Sequence, residues 1–293
     1  MAYTYSYEKM GLGADKSPLD LVFDVVNNHN DWVIEKTEYD NNGKLIYLWV
    51  KSVNTTSGQI LGLVFRNYFV DEIEVAYSRD IDTNEPWDQQ PGAPTDGNTR
   101  EGTFASYDYL TYWGKSLSPT YTTVIISRDL IHVVWSGGHM DSGGPYQINV
   151  MYCALDKTHN YSDGVLWVTS HKAAKSNFGI HFNGHWYQEG FGINNSLEGL
   201  QGRLNDLSNS VMHEHNQRPY GMYVDPIAVH CNTDQSTMDA ALELIGFLPG
   251  GCYGANYYSY PNLLIQEKID SKEYVGLPTS HIPYINTILY PLS

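Results

Sequence analysis

The stretch HMDSGGPY, His139 to Tyr146, holds the residue types of acyl-transfer chemistry. Asp141-Ser142-Gly143-Gly144-Pro145 repeats the run that surrounds the nucleophile in one class of serine hydrolases. Such a serine needs a histidine base, an aspartate that orients the base, and donors for the oxyanion. The upstream histidines are His29, His132 and His139. His29 sits in NNHND at a helix end, His132 lies inside a strand pattern, and His139 is too close to come from a separate element. Met140 also stands where that motif has glycine. The same letters are what a tight connection between strands uses: Gly, Ser, Asp and Pro. The turn is the preferred reading, and a hydrolase built on Ser142 is the lesser alternative.

Two other groupings have the residues for chemistry. HFNGHWYQEG sets His181, His185 and Glu189 at helical spacing for a metal, but Gly179, Gly184 and Gly190 argue against a helix there. HEH, His213 to His215, places two histidines on one face of a strand, where Asp225 or His230 could join them. Asp80, Asp82, Glu85 and Asp88 surround Trp87, as in a sugar cleft with an aromatic platform. A solvated acidic loop explains the same residues with less. The expectation is therefore no cofactor, no metal and no catalytic residue.

The elements that would position these groups follow from periodicity. Ser17 caps and Pro18 opens a helix to about Asn28, with Leu21, Val22, Val25 and Val26 on its apolar side. WVIEKTEYDNNGKLIYLWVKS then alternates around DNNG, a hairpin turn. QILGLVFRNYF and DEIEVAYS extend the meander, and the helix is expected to pack on it. Residues 82–102 form a long loop rich in Pro, Gly, Asn and Asp. YTTVIISRDLIHVVWSGG and YQINVMYCAL read as three strands. TDQSTMDAALELIGF predicts a second helix near residues 235–246, stopped by Gly246. From Leu248 the chain, spaced by prolines and rich in tyrosine, predicts an irregular arm. The class is α+β with mainly antiparallel sheets. The division is a composite body, 1–247, with a sub-boundary near 82–102, and a C-terminal arm, 248–293.

Composition excludes several functions. The chain of 293 residues has 33 acidic against 17 basic residues, a net charge of −16. Phosphate-directed nucleic-acid binding needs clustered Lys and Arg, so sequence-specific nucleic-acid binding is not expected. No apolar run is long enough for a membrane span, and MAYTYSYEKM is not a signal peptide. Three unpaired-looking cysteines suit a reducing cytoplasm. With 24 Tyr against 8 Phe and only 17% charged residues, much of the surface suits permanent subunit contacts.

The order of these segments resembles a family of virion structural proteins of tailed bacteriophages. The residues that carry the resemblance are Trp87, Asp88, Gln90, Pro91 and Gly92, which fit that family's W/F-D-x-Q-P-G loop. They are joined by Arg128 to Val134, Tyr146 to Leu155, and Tyr260 to Leu264. The middle segment, Asn160 to Gly221, departs from the family. The resemblance implies a non-enzymatic tail, neck or baseplate subunit, assembled in the host cytoplasm. It would contact copies of itself and other virion proteins. The expected contact residues are Trp87, Asp88, Gln90, Pro91 and Gly92 in the loop, with Tyr257, Tyr258, Tyr260, Pro261, Tyr284 and Tyr290 in the arm. A receptor- or glycan-binding module of the same particle is the alternative.

Overall fold

The computed structural model describes residues 6–11, 17–69, 72–93, 107–111, 121–139, 145–157, 164–171, 175–182, 184–187, 225–226, 228–231, 243–255, 265–269, 272–278 and 287–292. Helix α1 spans Pro18–Asn27 and opens on a reciprocal cap. The Asp20 N–H donates to Ser17 Oγ at 3.3 Å, and the Ser17 N–H donates to the Asp20 carboxylate at 2.7 Å. The Ser17 N–H thereby gains an acceptor, and the Asp20 N–H a second one beside the Ser17 carbonyl at 3.1 Å. Leu19, Leu21, Val22, Val25 and Val26 are all buried, so the helix is held by its apolar face.

The front sheet is a meander in chain order: β2 (Trp32–Tyr39), β3 (Leu45–Ser52), β4 (Leu61–Phe69), β5 (Glu72–Ser78) and β6 (Tyr107–Thr111). The DNNG hairpin forms as expected. Asp40 accepts the N–H groups of Lys44 and Asn42, each at 2.8 Å. These bonds, Lys44's first, hold its carboxyl below the usual carboxylate range.

The central sheet has seven strands, β1 (Ser6–Gly11), β7 (Tyr121–Ser127), β8 (Leu130–His139), β9 (Pro145–Ala154), β11 (Val165–His171), β12 (Lys175–Phe182) and β13 (His185–Tyr187), neighbours in that order. Every adjacent pair is antiparallel. Successive residues enter different cores. Val124, Ile126, Ile131, Val133, Val150, Tyr152, Val165 and Trp167 share a core with α1 and the front sheet. Ile125, Leu130, Val134, Met151, Cys153 and Leu166 face the opposite way, into a second core. Burial on both faces explains why IHVV and NVMYCAL are almost continuously apolar rather than alternating.

The rear layer completes that second core. One small sheet orders β10 (Asp156–Lys157), β16 (Glu243–Phe247) and β15 (Ala228–Cys231). The other orders β14 (Asp225–Pro226), β17 (Tyr253–Ala255), β20 (Thr287–Pro291), β19 (Lys272–Pro278) and β18 (Ile265–Ile269).

Two expectations are corrected here. The helix near 235–246 does not extend through its last residues, because Glu243–Phe247 is strand β16; residues 232–242 lie outside the described residues. Gly246 is opposite both Lys157 and Val229. A Cβ there would lie 2.6 Å from the Asp156 carbonyl oxygen, so this glycine admits a close strand crossing rather than ending a helix. Sheet pairing overrides the local helix preference of ALEL. The C-terminal arm is likewise not irregular where it is described. Val275, Leu277, Ile288 and Tyr290 are buried against Ile125, Met151 and Cys153, so the second core spans the 247/248 division. Pro278 and Pro291 close strands, positions that tolerate a missing donor.

Candidate functional site

The segment HMDSGGPY joins β8 to β9, with His139 paired opposite Pro145. Met140, Asp141, Ser142, Gly143 and Gly144, on which the turn reading falls, lie outside the described residues. His132, a histidine upstream of Ser142, is 1% exposed, and its Nδ1 is 2.6 Å from Tyr290 Oη. It ties β8 to β20 within the second core.

His181 and His185 sit on neighbouring strands, where His181 pairs with Trp186 and Phe182 with His185, so the spacing is that of a hairpin and not of a helix. Glu189 and His213 to His215 lie outside the described residues. Among the described residues, no group of three or more His, Cys, Asp or Glu side chains is placed to hold a metal ion. Cys153 and Cys252 are buried thiols; burial pushes the Cys153 thiol well above its ordinary range, and Cys252 adds to the shift.

Among the described residues, the loop Asp82–Ala93 is the most extensively hydrogen-bonded connection. Sequence flagged its residues; the structure shows how they divide between inside and outside. Gln90 is 3% exposed and acts as the internal brace. Its Oε1 accepts the Asp82 N–H at 2.9 Å, and its Nε2 donates to the carbonyls of Pro86 at 2.9 Å and Glu85 at 3.3 Å. The Pro91 carbonyl accepts from the N–H groups of Arg79 and Asp80. Gly92 has φ +67°, and a Cβ on it would lie 2.5 Å from Arg79 Cβ, so both its conformation and its surroundings call for glycine. Its carbonyl accepts from Trp186 Nε1 at 2.9 Å.

Trp87 anchors the outer end. It packs on a small cluster of Trp49, Val64, Ala76 and Ile81 on the outward face of the front sheet. Arg66 lies between two rings, 5.3 Å from the Trp87 centroid and 5.6 Å from that of Tyr47, while paired with Glu74 at 2.9 Å. Tyr47 stacks on Trp49, and Lys36 covers the Trp49 ring at 4.6 Å. The result is a row of stacked rings and cations in the order Lys36, Trp49, Tyr47, Arg66 and Trp87. One face of Trp87 is therefore taken by Arg66. Pro91 is exposed and Asp88 half-buried, whereas Asn84, Glu85, Pro86 and Gln89 are exposed.

Of the expected arm contacts, Tyr290 is fully buried within its own chain, a correction to its expected place at a subunit surface. Tyr257, Tyr258, Tyr260, Pro261 and Tyr284 lie outside the described residues. Sequence reasoning missed Arg66, Arg79 and Trp186, the residues that fix the loop. Nothing local marks Arg66, Arg79 or Trp186. No helix among the described residues is long and apolar enough to cross a membrane. No protein-family model matches the chain, and no curated protein or solved structure does either.

Proposed function

We propose that this chain is a non-enzymatic structural subunit of a tailed-phage particle, in the tail, neck or baseplate, and that the loop Asp82–Ala93 is one of its contact surfaces. The carrying observation is the braced loop. Gln90 is buried and Trp87 and Gly92 are half-buried and held by their neighbours, which fixes the backbone and presents Asn84, Glu85, Pro86, Gln89 and Pro91 outward. A contact surface ordered before it meets its partner avoids the entropy cost of ordering on binding. The low charge and abundant tyrosine support the same reading, since large permanent interfaces are weakly charged and aromatic. Its partners are copies of itself and other virion proteins, and it assembles in the host cytoplasm.

The test has two parts. Peptide mass spectrometry of purified particles from the encoding phage is expected to find the chain as a stoichiometric component; its absence overturns the reading. The double substitution Glu85→Arg and Gln89→Arg alters only exposed positions of the loop. The variant is expected to fold normally and be lost from particles. Incorporation at the native level would remove the loop from the contact surface.

A further inference from the structure

The hairpin between β2 and β3 turns on Asp40-Asn41-Asn42-Gly43. The Asp40 N–H donates to the Lys44 carbonyl at 2.8 Å, and the Gly43 N–H donates to the Asp40 carbonyl at 3.0 Å. Asp40 braces the turn from within. Its carboxylate accepts the N–H groups of Asn42 and Lys44, and the Asn42 side chain reaches it as well. Gly43 has φ +79°, the left-handed conformation that closes such a loop. Asn41, Asn42 and Gly43 are all exposed, and nothing lies within 4 Å of where a Gly43 Cβ would stand, so water reaches this tip.

These residues hold both halves of an intramolecular reaction. The backbone nitrogen that follows an asparagine can attack the asparagine's own Cγ and close a succinimide ring. A side chain on the following residue crowds that nitrogen, and glycine has none. Here the Gly43 nitrogen would form the new C–N bond and give up its proton, and the Asn42 amide nitrogen would leave with that proton as ammonia. Water then opens the succinimide at one of its two carbonyls. One product is aspartate; the other is isoaspartate, in which the chain runs through the side-chain carboxyl carbon. Proximity favours ring closure. The folded turn opposes it, because the Gly43 N–H is engaged with the Asp40 carbonyl and must first be released. The reaction therefore proceeds from a locally opened tip, and exposed turns are among the segments that open most readily.

We propose that Asn42 is a site of spontaneous deamidation, with Gly43 as its nucleophile and Asp40 as the brace that slows it. The change is not neutral for the hairpin. The succinimide has no N–H left at Gly43 to donate to Asp40. Either acid product brings a second carboxylate to a tip that already carries the Asp40 carboxylate, and isoaspartate adds a carbon to the backbone of the loop. Like charges so close repel each other, so each converted chain carries a weakened turn between β2 and β3. The inference concerns the chain alone and does not depend on what the chain assembles with.

Peptide mapping of the full chain tests it. The folded chain is kept in warm, mildly alkaline buffer, sampled at intervals and digested with trypsin, which cuts after Lys36 and Lys44 and releases residues 37–44. A synthetic peptide of the same residues gives the rate without the turn, and a sample taken at the start sets the background. Mass spectrometry reads the conversion of amide to acid, and fragmentation assigns it to Asn41 or Asn42. The folded chain is expected to convert at Asn42 about tenfold more slowly than the peptide, the retardation that one or two exposed hydrogen bonds supply. Asn41, which precedes no glycine, is expected to stay intact. Asp40→Ala is expected to bring the rate to within about threefold of the peptide's. If Asn42 in the folded chain is unchanged when the peptide has converted completely, or if Asn41 converts in its place, the site is overturned. A native rate equal to the peptide's, or an Asp40→Ala chain that converts at the native rate, overturns the brace.

Discussion

At the scale of single residues, Gln90 shows how a loop becomes a fixed surface. One amide serves one donor and two carbonyls, all from the loop's own backbone. Gln90→Leu keeps much of the volume but leaves the half-buried Asp82 N–H without its acceptor, and should cost about 1–3 kcal/mol. The shift of the urea midpoint at constant slope measures it. His29 predicts a pH effect. It is half-buried at the end of α1, and its Nδ1 accepts the Asp31 N–H at 3.2 Å. Burial lowers its pKa from the ordinary 6.5, Arg128 lowers it further, and Asp31 acts in the opposite sense. The unfolded chain thus takes up the proton first as pH falls through 6.5, and stability drops from there towards the folded-state value. Denaturation at a series of pH values should show this loss, and His29→Gln should lessen it.

At the scale of elements, legibility followed whether the signal was local. The helix α1 was readable because its cap, its proline and its apolar stripe lie within a dozen residues. The DNNG hairpin and the runs of β7, β8 and β9 were readable for the same reason. Strand β16 was not, because ALELIGF carries helix formers and its strand partners, β10 and β15, are distant or short. The close strand crossing at Gly246 is open to a test by substitution. Here Gly246→Ala should destabilise by about 1–3 kcal/mol, the cost of overpacking, because the added methyl meets the Asp156 carbonyl and the Leu155 side chain. Thermal unfolding of the variant beside the native chain decides it. Within the loop, Trp87 to Gly92 stood out by residue type and by family resemblance. The Arg66 and Arg79 anchors become visible only once the sheets are folded together.

At the scale of the whole molecule, the central sheet depends on covers that come from both ends of the described chain. The front cover is clipped on by Trp32 Nε1 to the Ser127 carbonyl at 2.7 Å, Ser52 Oγ to the Arg128 carbonyl at 2.7 Å, and Thr56 to the buried Asp129 carboxylate. The rear cover draws on β17, β19 and β20, which a proline-marked sequence had disguised as an arm. Removing residues 248–293 should therefore undo the fold itself. It would uncover Ile125, Leu130, Met151, Cys153 and Leu166, each worth about 1.5–3 kcal/mol of burial when the side chain is a large aliphatic. The truncated chain is expected in the insoluble fraction. A soluble fragment with a cooperative melt would show that the rear layer is dispensable.

The His132–Tyr290 bond joins residues 158 positions apart. At ribosomal speeds of about 5–20 residues per second, His132 is synthesised on the order of ten seconds before its partner exists. The first core can close during that interval, since the front sheet and α1 are made earlier than β8. The opposite face of β7, β8 and β9 must wait in water for the strands that will cover it. Each newly made chain thus passes through a stage that is half finished and adhesive, and the time spent there is set by translation rather than by folding.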